Sequence, residues 1–259
     1  MIKLKKIDTR APKHLDKKEV KAATEGLYKR IGELHEMMMA DKKQSLLVVF
    51  QGMDSSGKDG LTKRIFRYCS AVGVSAKGFK KPTDEEFAHD FLWRIHKHAP
   101  EKGTIQVFNR SHYEDILIQR VHGWIDEERV DTRINAINAF EDLLQKDNGT
   151  TVLKFFLHLS PERQLEKLQE RLDLPEKNYK HNDGDWKERK LWDKYMDAYE
   201  DAINRCNVAP WYVVPADQRW YRNFYVAQTV LKTLEAMDLS FPLLDKSKLG
   251  EGVGIPSKS

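Results

Sequence analysis

Residues 52–60 read Gly-Met-Asp-Ser-Ser-Gly-Lys-Asp-Gly. Gly52 and Gly57 enclose four residues and Lys58 follows, which is the G-x-x-x-x-G-K spacing of a phosphate-binding loop. Glycines let such a backbone curl until successive N–H groups converge on one phosphate. A helix starting near Lys58 would add its positive N-terminal end, and the Lys58 ammonium would reach the terminal phosphates. Ser55, Ser56 and Gly60 complete the cradle. The position after the lysine departs from the pattern, with Asp59 where Ser or Thr is usual.

The acids in and beside this loop narrow the chemistry. Asp54 and Asp59 would repel a polyphosphorylated ligand unless a divalent cation came between, and Mg²⁺ is the hard, oxygen-seeking choice. An exposed acid at a helix start is the plainer alternative for either. A second cluster, Asn109-Arg110-Ser111-His112-Tyr113-Glu114-Asp115, follows the apolar run Thr104–Phe108. Open parallel sheets place ligands at the carboxyl ends of their strands, so Arg110 belongs near the loop. Lys80 and Lys81 follow another apolar run, and Arg120, Arg171, Lys177 and Lys180 come later; each could equally be a solvated surface charge. Phosphoryl transfer rests on positioning and on cations around the moving group, so the candidate catalytic residues are Asp54, Lys58, Arg110 and Glu114.

Elements that could position these residues alternate along the chain. Helical spacing runs over Asp16–Met39, where Met37-Met38-Met39 suits core or subunit packing. A buried-type strand precedes Gly52, and a helix over Lys58–Ala71 follows. Val74–Phe79 is a strand, and Thr83 caps a helix carrying Phe87, Phe91, Leu92 and Ile95. Helices are expected at Tyr113–His122 and Asp131–Lys146, and a strand at Thr151–Leu159. Ser160-Pro161 starts a helix through Arg171. Trp186–Asn204 is helical, Trp211–Val214 a strand and Arg219–Met237 the last helix. These predict one α/β domain over residues 1–259, a three-layer, P-loop kinase-like fold with a five-stranded parallel sheet. Residues 1–15 form a basic N-terminal arm, 173–190 a charge-rich lid and 242–259 a C-terminal tail. A lid of this composition could close over the donor and exclude water, or it could be a static, salt-bridged hairpin.

Bulk properties exclude other classes. A formal charge of +4 is too mild for a duplex nucleic-acid binder, yet it suits a small polyanion if the cations cluster. No run of eighteen apolar residues or secretory leader is evident, which predicts neither membrane insertion nor export. Two cysteines, Cys69 and Cys206, lack metal-ligand spacing and fit a reducing cytoplasm. The histidines are too widely spaced for a zinc site.

The loop Gly52–Gly60, Lys81-Pro82-Thr83 and the run Phe108–Asp115 together resemble the polyphosphate kinase 2 family. Pro175–Lys180 and Trp186–Arg189 with Trp192-Asp193 are similar to that family's lid. The resemblance spans roughly residues 20–240 and implies Mg²⁺-dependent transfer of the terminal phosphate of polyphosphate to AMP or ADP, with guanine nucleotides also conceivable as acceptors. It implies metal at Asp54, the transferring phosphate on Lys58 and Arg110, and the polyphosphate path or lid at Lys81, Arg120, Arg171, Lys177 and Lys180. It also implies a dimer or tetramer. Many members carry Asp where Asn109 stands, so Glu114 or, less readily, Asp59 or Asp115 is expected to supply the missing carboxylate. The run Asn109–Glu114 resembles the subgroup that accepts both AMP and ADP. The competing reading is an ATP-dependent nucleotide or nucleoside kinase of the same fold, and a non-catalytic binder is disfavoured by the acids in the loop.

Overall fold

In the computed structural model, which describes residues 1–244, the apolar run before the loop is β1, Ser45–Gln51, with all seven residues buried. Side chains alternate across a strand, so Leu46, Val48 and Phe50 enter one core while Leu47 and Val49 enter the other. Helices cover both faces, which is why the strand reads as continuously apolar. The other strands are β2 (Val74–Gly78), β3 (Ile105–Asn109), β4 (Thr150–His158) and β5 (Trp211–Pro215). All pair in parallel, in the order β2-β3-β1-β4-β5, with Val48 opposite both Val107 and Leu153. The loop after β1 therefore sits mid-sheet, with β2 and β3 to one side and β4 and β5 to the other.

Helix α1 (Lys17–Asp41) starts at Asp16, whose carboxylate accepts from the N–H groups of Lys18 and Glu19. It buries Tyr28, Ile31, Leu34 and Met38 in the same core as Leu46. Met38 is thus used inside the chain. Helix α2 (Lys58–Ile65) follows the loop, and α3 (Asp84–Ala88) and α4 (Trp93–His96) lie between β2 and β3. After β3 come α5 (Ile118–Val121) and α6 (Glu127–Lys146); after β4, α7 (Pro161–Asp173), α8 (Asp183–Arg189) and α9 (Trp192–Arg205); after β5, α10 (Arg219–Ala236).

Several elements are shorter than their periodicity predicts. The helix expected to reach Ala71 stops at Ile65, and the next residues turn back through a Cys69 N–H bond to the Phe66 carbonyl. The helix after Thr83, closed by a capping box with Glu86, breaks at His89, which is extended, and restarts once Asp90 caps Leu92. Tyr113–His122 is a 3-10 turn at His112–Asp115 followed by α5, because the Ser111 hydroxyl caps Tyr113 and the Asp115 side chain is held by Arg94 and Gln119. The Trp186–Asn204 span divides into α8 and α9 at Lys190 and Leu191. Helix α6 begins four residues early, at Glu127, because the side chain of Asp126 caps the Arg129 N–H.

The arm at the start of the chain is tied down. Leu4 is buried, the Ile2 N–H donates to Asn204 Oδ1, and the Asp217 N–H donates to the Thr9 carbonyl. Of the expected tail, residues 245–259 lie outside the described residues.

Candidate active site

Where β1 ends, the backbone bends sharply, with positive φ at Gly52 (147°), Ser55 (66°) and Gly57 (90°). Only glycine takes such angles freely, and a Cβ on Gly57 would also collide with Arg222 Nη1. Lys58 opens α2 and is buried; its ammonium folds back onto the loop, donating to the Gly52 carbonyl at 2.7 Å and the Met53 carbonyl at 3.3 Å. The first N–H groups of α2 have no carbonyl partners within the helix, so they face the mouth of the loop as anion donors.

The β3 end meets this loop. Arg110 adopts a left-handed backbone (φ 61°), with its N–H on the Phe50 carbonyl, and its guanidinium donates to Asp54 at 2.5 Å. Holding a non-glycine residue there costs about 1 kcal/mol or more, which the surrounding contacts must offset. Asn109 donates its amide to the Asp59 carboxylate. The Gln51 amide, turned to satisfy both its ends, donates to Glu114 at 2.9 Å and accepts from the Ser111 hydroxyl at 3.1 Å.

Charge and burial compete here. Burial lowers the Lys58 pKa and Arg110 lowers it further, against Asp54, Glu114 and Asp59. Burial raises Glu114, assisted by Asp54 and Asp115 and opposed by Arg110 and Lys58. For Arg110 burial is outweighed by Glu114 and Asp54, so its pKa rises and its charge is secure. Glu114, Asp54, Arg110 and Lys58 are therefore one electrostatic unit.

The other predicted residues are distributed as follows. Lys80 and Lys81 are exposed at the end of β2. Asp115 is buried and turned toward Arg94 (3.4 Å) and Gln119 (2.5 Å), while Arg133 donates to its carbonyl. Arg120 is matched to Glu127 and Asp201. Arg171 pairs with Asp185 and donates to the Lys180 carbonyl, and Lys177 pairs with Glu170, so the end of α7 and the 173–190 segment balance each other's charges. The Lys180 ammonium lies 5.3 Å from the Tyr179 ring centre. The segment is joined to the loop through Gln164, which accepts from Arg189 at 2.9 Å and donates to the Asp54 carbonyl at 3.1 Å. Burial and the charge of Asp54 raise the Asp185 pKa, with Arg171 and Arg110 opposing.

Sequence reasoning missed several groups against the loop. In α7, Gln164 donates to the Asp54 carbonyl at 3.1 Å and Lys167 to the Ser55 carbonyl at 3.0 Å. From α10, the buried Arg222 donates to the Ser56 carbonyl at 2.6 Å. A signal was present: Arg163, Lys167 and Arg171 recur every four residues on a helix that leaves a strand's carboxyl end. Beside them lies a groove of about 840 Å³ whose lining holds Arg10, Lys21, Arg64, Arg67, Arg163 and Arg219 and also the carboxylates of Glu25, Glu162, Glu166 and Asp217. Arg67 pairs with Glu25 and Arg163 with Glu166, which leaves Arg10, Lys21, Arg64 and Arg219 without a carboxylate at ion-pair distance among the described residues. On the β2–β3 side is a more apolar cavity of about 640 Å³, with Phe87, Phe91 and Trp124 opposite Arg94, Asp115 and Arg133. Among the described residues, no three His, Cys, Asp or Glu side chains converge as a metal site. Asp54 and Glu114 are a pair of hard oxygen donors, a set that suits Mg²⁺ when substrate phosphates and water complete the shell.

Known proteins resemble this chain in sequence and fold. The profile of polyphosphate kinase 2 matches residues 14–242. The AMP/ADP-polyphosphate phosphotransferase of Meiothermus ruber is 44% identical over 218 residues, covering 83% of this chain and 81% of that protein. The ADP-polyphosphate phosphotransferase of Rhodopseudomonas palustris is 39% identical over 227 residues, covering 82% of this chain and 78% of that one. A crystal structure of polyphosphate kinase 2 from Arthrobacter aurescens TC1 superposes with a TM-score of 0.91 at 40% identity, over 94% of this chain and 89% of that one. With its phosphate loop, its parallel sheet and this similarity along nearly its whole length, the chain belongs to the polyphosphate kinase 2 family.

Proposed function

We propose that this protein transfers the terminal phosphate of inorganic polyphosphate to AMP and ADP, using Mg²⁺. The observation that carries the reading is the place of the loop in the sheet. Strand order puts the cation-lined groove on the β4–β5 side and the more apolar cavity on the β2–β3 side, with Lys58, Asp54 and Arg110 between. A linear polyanion has no base or sugar to recognise, so a basic groove suffices for the donor. An acceptor nucleotide needs an apolar slot for its base, which Phe87, Phe91 and Trp124 would offer, with Lys81 at the same cavity for its phosphates.

In the proposed reaction, a terminal phosphate oxygen of the acceptor attacks the end phosphorus of the donor. The bridging P–O bond breaks, and polyphosphate leaves one unit shorter with the bridging electrons. Lys58 and the loop N–H groups would hold the end of the donor, and Arg110 would neutralise charge on the group in flight. Asp54 and Glu114 would hold Mg²⁺, which supplies charge neutralisation between the phosphates. The 173–190 segment would act as the lid and exclude water that would otherwise compete as acceptor. The free cysteines and the nucleotide substrates suit a reducing cytoplasm. Self-association, expected from the resemblance, would be tested by sedimentation, because Met38 is already used in the chain's own core.

The test is incubation with AMP, ADP or GDP, polyphosphate and a Mg²⁺ titration, following nucleotide products. ATP from ADP, dependent on Mg²⁺, is the expected result. AMP that stops at ADP would remove the dual-acceptor assignment. Turnover with ATP as donor and none with polyphosphate would select the competing kinase reading.

A further inference from the structure

Arg222 is an anomaly for a buried cation. Its side chain is nearly inaccessible, its Nη1 donates to the Ser56 carbonyl at 2.6 Å, and its Nη2 donates to Asn223 Oδ1 at 3.1 Å. Its Nε is buried without a partner. Among the described residues no carboxylate lies within ion-pair distance, and the charged groups acting on it are Arg219 and Arg64, both of like sign, beside the Tyr28 phenol. Burial and these arginines push the guanidinium down to about 10, so it stays charged at neutral pH. Buried charges are ordinarily paired, because an unpaired one carries the full desolvation cost.

The geometry of a trans peptide explains what this charge does. Within one peptide unit the carbonyl and the following N–H point in opposite directions. Arg222 holds the Ser56 carbonyl, so the Gly57 N–H is aimed away from α10, toward the mouth of the loop. Gly57 leaves room for the guanidinium, since a Cβ there would collide with Nη1. Lys167 grips the adjacent Ser55 carbonyl from α7, also without a carboxylate within ion-pair distance among the described residues. Two elements thus press cations against two consecutive loop carbonyls.

We propose that Arg222 is a positioning residue for the donor phosphate: it orients the Ser56–Gly57 peptide as a donor, and its unmatched charge is balanced only when a polyanion fills the loop. This rests on the donor assignment above. Arg222 acts through the loop and the field, not through contact with the reacting atoms.

The experiment compares wild type, Arg222→Met and Arg222→Lys in thermal unfolding with and without tripolyphosphate, and in KM for polyphosphate and for ADP. The expected result for Arg222→Met is a ligand-free Tm within about 3 °C of wild type, since the two lost hydrogen bonds are offset by removal of an unpaired buried charge. Its tripolyphosphate-induced rise in Tm should largely vanish, and its donor KM should rise by about tenfold or more while KM for ADP stays within about twofold. Arg222→Lys, which keeps the charge but loses the fork, should fall between the two. An unchanged donor KM, or equal rises for both substrates, overturns the proposal. If Arg222→Met does not fold, Arg222→Lys decides by the same two KM values. If wild type uses ATP in place of polyphosphate, the donor assignment fails separately, and these variants then raise KM for ATP.

Discussion

The buried ionic cluster behind the active-site turn makes the sharpest stability prediction. Lys154, in the middle of β4, is fully buried and donates to Glu141 at 2.6 Å, the Tyr113 hydroxyl at 2.9 Å and the Cys206 carbonyl at 2.9 Å. Tyr113 in turn donates to Glu141 at 2.7 Å, and His112 stands 3.5 Å from the same carboxylate. Glu141→Gln would leave the Lys154 ammonium buried without an anion, a loss of about 3–5 kcal/mol. For a chain of this size that is a fall in Tm of roughly 6–20 °C. Glu141→Leu combined with Lys154→Met removes both charges and should recover most of it, to within about 2 kcal/mol of wild type, the remainder reflecting the orphaned Tyr113 hydroxyl. Burial alone would raise the Glu141 carboxyl, but His112 and Lys154 overcome it and hold its pKa below the ordinary carboxylate value. Its contribution is therefore full above that ordinary value and is lost as pH falls through the depressed one. Thermal melts from neutral pH down to about pH 3 would read this loss against the single variant, in which it should be absent. A Glu141→Gln melt within 2 °C of wild type, or a double variant no better than the single, would refute the reasoning.

Three further outcomes follow from the site. Lys58→Ala should lower kcat by about a hundredfold or more with the fold intact by circular dichroism, and retained turnover would remove Lys58 from the donor site. Asn109→Asp exchanges a donor to Asp59 for a third hard ligand beside Asp54 and Glu114, so the half-saturating Mg²⁺ concentration should fall; a rise would mean this position does not face the metal. Burial, with Arg222, Arg163 and Arg219 nearby, pushes Lys167 down to about 7 against the opposing pull of Glu170. The ammonium is charged below that value and neutral above it, so the donor KM should rise between about pH 6 and 8 in wild type and stay flat in Lys167→Met.

Local pattern made the sheet legible and left the helices between β2 and β4 blurred. The run Leu46–Phe50 is apolar at every position because both faces are covered, and its strand could be read from residue type alone. The break after Asp115 depends on side chains that meet across the fold, Arg94 with Asp115 above all, and the break at His89 on single capping side chains, so no helical period encodes either. The site divides the same way. Asp54, Lys58 and Arg110 lie in motifs with fixed spacing, and the structure brings them together. Arg222 and Lys167 act on carbonyls from helices far along the chain, so their relevance exists only once β4 and β5 have paired beside β1. Arg120, Arg171 and Lys177 show the converse, since a cation's partner decides its availability and each has carboxylates at hand.

The N-terminal arm carries a mechanical consequence. Residues 2–11 bridge from Asn204 in α9 to Asp217 and Gln218 at the start of α10, contacts separated by about two hundred positions in sequence, and Arg10 lines the basic groove on the way. Closing so long a loop is slow, so the arm should dock late, after the sheet has formed. A force applied to the amino end would peel this strap first and open the groove before disturbing a single strand. A polyanion bridging Arg10 to the arginines of α2 and α7 would stitch the strap to the body, and resistance to pulling would then report the occupancy of the groove.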